Sequence, residues 1–316
     1  GQAAVIFNAN FKVPYYCFDC SLKNSQQIES LLKLRHEESL NKGFNPYSVP
    51  LFCIEHFCLP DSGDILRLYF SHLLTDGLSS SFLIDNLHRL YNGSDIKPAS
   101  EFSDYLTWRA QYPIKQHAEF WIQQLAKLND ASLLHNILEQ DKPTNKPGFN
   151  LSAKLLFSET EQSWIQDFCK ANRLSITAFF QGCWSLLLSC LLNQTTVVSG
   201  LAYSGRRNLS EKWQESVGLF SNTLPFIIDI DEGLSLSEWF KQVHANIQDL
   251  KKHDILSISD INRLSNARVS EYFDSLFISM NFKRPDQRLM PTFQDISYEQ
   301  STHFPVTVQF DPDKME

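Results

Sequence analysis

The chain has 316 residues, of which 43% are hydrophobic and 20% are charged, and its formal net charge is −8. This length exceeds the size at which one hydrophobic core usually keeps growing, so we expect two lobes that bury a sizeable core. The acidic balance argues against a nucleic-acid partner, which needs clustered Lys and Arg, and no apolar run approaches the roughly 20 residues that span a membrane.

Closely spaced cysteines mark the N-terminal part of the chain. Cys17 and Cys20 form a CxxC pair in PYYCFDC, and Cys53 and Cys58 follow in LFCIEHFC. Both stretches are apolar and aromatic, which is typical of buried strands, and neither has the turn glycines of a zinc knuckle. We therefore expect reduced core thiols and no metal. The odd number of cysteines, with no visible secretion signal, favours a cytoplasmic location.

A strand, a short loop and a helix follow one another in the next segment. ILRLYFS, residues 65–71, alternates and is rich in β-formers, which predicts a strand that leads into His72. Apolar residues then recur at helical spacing up to Asn92-Gly93, and Ser79 or Ser80 is placed to cap the first turn.

The loop itself contains His72, Asp76 and Gly77. Histidine at the end of a strand is suited to exchange protons with a bound nucleophile near neutral pH. An isolated HxxxDG pattern fits equally well a loop that His72 and Asp76 close by hydrogen bonds, so the motif alone leaves both interpretations open.

Helices and strands alternate through the rest of the chain, which predicts a mixed α/β or α+β fold. The polar stretch EQDKPTNKPGFN contains the expected interlobe linker, residues 141–150, between an N-terminal lobe, 1–140, and a C-terminal lobe, 151–316. Helices are predicted at SDYLTWRAQY, IKQHAEFWIQQLAKL, ETEQSWIQDFCKANR, SITAFFQGCWSLLLSCLL and LSEWFKQVHANIQDLKKH, and strands at LSAKLLF, TTVVSGLAY, NTLPFIIDI, DSLFISMNF and HFPVTVQF.

SHLLTDG is followed along the chain, in this order, by FSDYLTW, YSGRRN, VGLFSNTLP, KHDILSI and RVSEYFDSLFISMNF. In this fixed order the segments resemble the motifs of the condensation domains of nonribosomal peptide synthetases. SHLLTDG resembles the family's HHxxxDG motif, with Ser71 in place of the first histidine, and FSDYLTW resembles its Y-x-D-Y-x-x-W segment. YSGRRN supplies Arg206 of an SGR element, and VGLFSNTLP is similar to VGxFVNT. KHDILSI and RVSEYFDSLFISMNF resemble two further family segments.

The resemblance implies a V-shaped, two-lobed fold related to chloramphenicol acetyltransferase, with the active site in a tunnel between the lobes. The implied reaction is acyl transfer between substrates held on donor and acceptor carrier proteins. Their 4'-phosphopantetheine arms deliver the substrates, so this chain binds no cofactor itself, and adenylation and carrier domains are the expected neighbours. The chain lacks family segments at both ends, and we expect a trimmed, monomeric domain.

The resemblance also assigns roles to single residues. His72 is implied as the general base, or as a hydrogen-bond or electrostatic partner of the tetrahedral intermediate, and the amide of Gly77 as an oxyanion donor. Asp76 is expected to pair with Arg206 and hold the loop. Ser71 points away from His72, as neighbouring strand residues do, and is expected to support the loop. Asn222 and Ser79 are expected to line the tunnel, although Asn222 equally fits a strand-end cap.

Three alternatives remain open. A Ser-His variant of the motif is familiar from terminal domains that release peptides by cyclisation. An acyltransferase of the same fold would take acyl-coenzyme A, but the D-F-G-W-G motif of the plant-type members is absent. A recruitment domain would bind carrier or tailoring proteins without catalysis, which the retained His72, Asp76 and Gly77 argue against.

Overall fold

The computed structural model describes residues 12–60, 63–96, 98–138, 152–207, 209–280, 293, 295–299, 302–312 and 314–315. The chain divides into two compact units, Gly1–Asp76 and Gly77–Glu316. The predicted linker, 141–150, lies outside the described residues, so the lobe boundaries at 140 and 151 stay predictions.

The first unit is a three-stranded sheet with one helix. Its elements are β1 (Tyr15–Asp19), α1 (Ser25–Lys42), β2 (Phe52–Cys58) and β3 (Ile65–Phe70), and the strand order is β1-β2-β3. Strands β1 and β2 are parallel because α1 returns the chain between them, whereas β2 and β3 are antiparallel. Helix α1 begins at a reciprocal capping box between Asn24 and Gln27.

PYYCFDC is predicted to form a buried strand, and the prediction of burial is wrong. Strand β1 forms, but Tyr15, Tyr16 and Cys17 are exposed, and only Cys20, after the strand, is fully buried. In β2, by contrast, Phe57 is fully buried and its neighbours are half-buried. An aromatic composition reflects strand propensity as much as burial, which explains the error.

The second unit combines a four-stranded sheet with helices. Its elements are α2 (Gly77–Tyr91), α3 (Phe102–Ala110), α4 (Ala118–Leu125), α5 (His135–Leu138), α6 (Glu159–Asn172), α7 (Ile176–Leu192), β4 (Thr196–Tyr203), β5 (Asn222–Asp229), α8 (Leu236–Leu250), α9 (Ile258–Ser265), β6 (Ser275–Ser279) and β7 (Val306–Phe310). Short 3₁₀ helices occur at Ile114–His117, Glu211–Trp213, Lys251–His253 and Val269–Glu271.

The sheet of this unit has the order β5-β4-β6-β7. Strand β4 is antiparallel to β5 and parallel to β6, and β6 is parallel to β7. The core lies where α7 and α8 pack on these strands, and it includes Leu188, Val198, Ile228 and Val243, all fully buried. The near-continuous apolar runs of β4 and β5 agree with strands covered on both faces.

Most predicted elements of the second unit are present, but LSAKLLF is wrong as a strand. Residues 152–157 have no regular secondary structure, and Leu155 and Leu156 are each 70% exposed. Alternating polarity is not sufficient for a strand, because a strand also needs a neighbour to receive its hydrogen bonds.

Among the described residues, no single helix is both long and apolar enough to cross a bilayer. One pair of helices, α6 and α7, meets those criteria jointly, with a bend of 104° between its members.

Candidate functional site

The loop that carries the predicted histidine is a hydrogen-bonded turn at the end of β3. The Ser71 amide donates to the Leu51 carbonyl over 2.9 Å, and the Leu74 amide donates to the Ser71 carbonyl over 3.0 Å. The Ser71 hydroxyl accepts from the Leu73 amide at 3.3 Å. The half-buried serine therefore takes part in the hydrogen bonds of the turn, and its role at the site stays a prediction.

Exposure differs sharply along this turn. His72 is exposed, whereas Thr75 and Asp76 at the end of the loop are buried, with Asp76 only 4% exposed. The Thr75 hydroxyl donates to the Asp76 carbonyl over 3.3 Å. The loop therefore exposes the imidazole of His72 to solvent, whereas Thr75 and Asp76 are buried.

Helix α2 begins at Gly77, so Ser79 and Ser80 lie within the helix and neither is its N-cap. The Ser79 hydroxyl instead donates to the Gly218 carbonyl over 2.8 Å and accepts from the Gly218 amide at 3.1 Å. It also accepts a hydrogen bond from Arg206, so its one donor and two acceptor positions are all used. A substrate contact by this hydroxyl would require one of these bonds to break, and its place in a tunnel stays a prediction.

Arg206 is 2% exposed and binds the backbone around it. One terminal nitrogen, Nη1, donates to the Trp213 carbonyl over 2.9 Å and to the Ser216 carbonyl over 2.8 Å. The other, Nη2, donates to the Ser79 hydroxyl over 2.7 Å. The guanidinium therefore fixes the first turn of α2 against the segment that follows the SGR element. The expected pairing of Arg206 with Asp76 stays a prediction, because the two residues belong to different compact units.

An aromatic cluster surrounds this arginine and unites three of the motif segments. The guanidinium carbon of Arg206 lies 3.9 Å from the ring centroid of Phe220. Phe220 contacts Phe102 and Tyr105 of FSDYLTW at centroid distances of 5.0 and 4.6 Å, and Tyr105 contacts Trp213 at 5.7 Å. Tyr105 is buried and Trp108 packs against the same cluster, so both are packing residues.

Two glycines allow these segments to approach closely. A Cβ atom at Gly218 would lie 2.2 Å from Cδ2 of Phe102, which is far inside van der Waals contact. Gly205 has a φ of +67°, and a Cβ there would lie 1.8 Å from the carbonyl oxygen of Phe220. The glycines of SGR and VGLF are therefore required by backbone approach and conformation.

Asn222 connects two further motif segments. Its side-chain amide donates to the Asp254 carbonyl over 3.0 Å and to the Leu256 carbonyl, so the start of β5 is tied to KHDILSI. Asn222 is half-buried and Asp254 is buried. The contact of Asn222 with a substrate tunnel stays a prediction.

Sequence reasoning missed a histidine pair in the second unit. Nδ1 of His117 lies 2.8 Å from Nδ1 of His253, and the His253 ring stacks on Phe120 at a centroid distance of 3.8 Å. Burial is the main cause that lowers the pKa of both imidazoles. The charge of Arg109 lowers the pKa of His117 further, and His117 in turn lowers the pKa of His253. His117 fell in an amphipathic helical pattern, which gave no signal of this contact.

Comparison with known families decides the assignment. The family model for the condensation domain matches residues 4–315. The chain belongs to the condensation domain family. This match confirms the resemblance that the ordered motifs indicated, and with it the acyltransferase class of the domain.

Curated relatives of this condensation domain are large synthetases. It is 24% identical over 304 residues to a linear gramicidin synthase of Brevibacillus parabrevis, an alignment that covers 92% of this chain and 4% of the relative. It is 24% identical over 273 residues to chondramide synthase cmdD of Chondromyces crocatus, covering 83% of this chain and 7% of the relative. The chain therefore spans less than a tenth of the length of these relatives.

Solved structures show the same fold. The starter condensation domain of rhizomide synthetase RzmA, in a mutant form, is similar with a TM-score of 0.64 and 17% identity, covering 86% of this chain and 62% of that one. A holo four-domain nonribosomal peptide synthetase gives a TM-score of 0.66 and 16% identity, covering 85% of this chain and 20% of that one. The mixed α/β class and the condensation-domain fold are confirmed.

Proposed function

We propose that this domain joins an acyl or peptidyl thioester, held on a donor carrier protein, to an amine or hydroxyl nucleophile on an acceptor carrier protein. One observation carries the proposal. The SHLLTDG loop presents an exposed His72 from a hydrogen-bonded turn whose following residues, Thr75 and Asp76, are buried. An accessible imidazole on a fixed backbone is the arrangement that proton transfer to or from a bound substrate requires.

The reaction begins when the nucleophile attacks the thioester carbonyl. His72 accepts the proton of the attacking amine or hydroxyl as the tetrahedral intermediate forms, or donates a hydrogen bond to that intermediate. When the intermediate collapses, its C–S bond breaks and the phosphopantetheine thiolate leaves and takes up a proton. A thioester is already activated, so positioning of the two arms supplies a large part of the acceleration. The chain itself forms no covalent intermediate in this scheme.

Gly77 is proposed to donate its amide to the developing oxyanion. It is the first residue of α2, and the first amides of a helix have no acceptor within the helix. The positive end of the helix dipole favours negative charge at the same place. A preorganised donor of this kind typically contributes about 10²–10³ in rate.

The remaining predicted residues are proposed to position this machinery. Ser71 supports the turn, and Asp76 and Arg206 hold the loop and the start of α2. Ser79 and Asn222 are proposed to line the substrate tunnel, where their backbone contacts tie α2 and β5 to their neighbours. Adjacent carrier and adenylation domains are the expected partners in the intact protein.

The test is product formation by the protein with carrier proteins loaded with donor and acceptor. We expect His72→Ala to lower the rate about 10²–10⁴-fold, the range typical of a lost general acid–base group. His303→Ala is the matched control, because His303 is also exposed and lies in another segment. Circular dichroism of both variants confirms that the fold is retained.

Each other outcome identifies a different function. Unchanged turnover in the His72 variant would exclude it as the catalytic histidine. Product from free acyl-coenzyme A without a carrier would show a coenzyme A-dependent acyltransferase. Carrier binding without product from any donor would show a recruitment domain, and cyclised product from a single loaded carrier would show a release domain.

A further inference from the structure

Two cysteines and a histidine converge on one face of the first sheet. Cys17 of β1 pairs in register with His56 of β2, and Cys58 lies two residues further along β2, so the three side chains share a face. The Sγ atoms of Cys17 and Cys58 are 3.6 Å apart, and Sγ of Cys58 lies 3.9 Å from Nε2 of His56. The three donor atoms all lie within 4.8 Å of one another.

These separations match those of ligands around a tetrahedral zinc ion. Zinc bound by sulfur at about 2.3 Å and by imidazole nitrogen at about 2.0 Å places two sulfurs about 3.8 Å apart and sulfur and nitrogen about 3.6 Å apart. The observed distances of 3.6 and 3.9 Å differ from these by a few tenths of an ångström. Small side-chain movements would therefore complete the site.

Neighbouring polar groups orient the imidazole and offer a fourth ligand. Oδ2 of Asp64 lies 2.7 Å from Nε2 of His56, while its Oδ1 accepts a hydrogen bond from the Leu59 amide over 3.2 Å. The Tyr15 hydroxyl bonds the other ring nitrogen, Nδ1. A histidine ligand held at its second nitrogen is the usual outer-shell arrangement of a protein metal site.

We propose that Cys17, His56 and Cys58 bind a divalent zinc ion, with Asp64 as the fourth ligand. On binding, the two thiols lose their protons to solvent, and the proton shared by His56 and Asp64 is displaced. The site differs from the CxxC pair seen in the sequence, because Cys20 is buried after β1 and takes no part. Cys17 is exposed, so the ion reaches the site from solvent.

Zinc and cobalt titrations of the fully reduced protein test the proposal. We expect one equivalent of Zn²⁺ to bind, and Co²⁺ to give the thiolate-to-metal charge-transfer and visible d–d absorption of tetrahedral sulfur coordination. Cys17→Ser or Cys58→Ser alone should weaken binding at least tenfold and lower the sulfur charge-transfer band, and the double variant should lack that band. Tyr15→Phe, which removes only the outer contact, should weaken zinc binding by about tenfold.

Cys53→Ser is the matched control. Cys53 lies on the same strand but faces the opposite side, so zinc binding should be unchanged. The proposal is overturned if the reduced wild-type protein binds no more zinc than the Cys17→Ser variant, or if Cys53→Ser weakens binding as strongly. It is likewise overturned if mass spectrometry finds a Cys17–Cys58 disulfide in air and the reduced form binds no zinc. Circular dichroism excludes unfolding as the cause of any loss.

Discussion

Arg206 holds several of the motif segments together in the folded protein. Its guanidinium donates to three carbonyls in residues 213–216 and to the Ser79 hydroxyl of α2, and it is buried against Phe220. The planar fork of arginine reaches these acceptors in different directions at once, which a single ammonium group at the end of a lysine does not.

We therefore expect Arg206→Lys to lower the free energy of unfolding by about 3 kcal/mol, since buried acceptors lose charged donors. Urea denaturation measures the change. Arg207→Lys is the control, because Arg207 is the exposed neighbour in the same SGRR segment and should unfold at the wild-type midpoint. Equal midpoints for the two variants would contradict the structural role of Arg206.

The sequence singled out residues of the candidate site but not the contacts that these residues make. The SGR element singled out Arg206, but its acceptors, the Trp213 and Ser216 carbonyls, are backbone atoms that any sequence supplies. Helical periodicity located α2, yet it placed Ser79 as a cap, whereas the hydroxyl bonds Gly218, which is 139 residues away along the chain. Pattern analysis has no access to such long-range contacts.

At the scale of elements, prediction succeeded where periodicity and end signals agree. Helix α8 has an apolar stripe and begins at a capping box between Ser235 and Glu238, and both features are visible in SLSEWFKQVHANIQDL. Strand β4 is a near-continuous apolar run. LSAKLLF and β1 failed because pairing and burial depend on neighbouring elements, which local composition does not specify.

The contact between two short 3₁₀ helices should make stability depend on pH. His117 ends one of them and His253 ends the other, and burial is the main cause that holds both imidazole pKa values below the ordinary 6.5. Arg109 adds to the effect at His117. At His253, His117 and Lys252 oppose protonation and Asp249 favours it.

The unfolded chain binds protons at these histidines at a higher pH than the folded chain does. Stability from this pair is therefore complete above about pH 6.5 and is lost as the pH falls through the lowered folded pKa values. We expect the urea concentration at the unfolding midpoint to decrease as the pH is lowered from about 7.5 to about 5.5. His253→Phe, which preserves stacking on Phe120, should reduce that slope, whereas His303→Gln should leave it unchanged. A slope identical in all three proteins would contradict this role of the pair.

At the scale of the whole molecule, the two compact units differ in how much apolar surface they bury. Among the described residues before Gly77, only Cys20 and Phe57 are fully buried apolar side chains, and α1 has no buried residue. The second unit has a continuous core across β4, β5, α7 and α8. Burial of apolar surface is the main favourable contribution to folding, so the free energy of opening should be smaller in the first unit.

We therefore expect backbone amides of β2 to exchange with deuterium at least tenfold faster than amides of β4, because exchange from a strand requires its local opening. Hydrogen exchange followed by mass spectrometry measures this directly, with a chelator present so that no metal ion adds to the stability of β1 and β2. All six tryptophans lie after Gly77, at positions 108, 121, 164, 184, 213 and 239, so their fluorescence reports the unfolding of the second unit alone. If β2 and β4 exchange at the same rate, and if the fluorescence and far-ultraviolet circular dichroism transitions in urea coincide, then the strands share one cooperative unit despite their unequal cores.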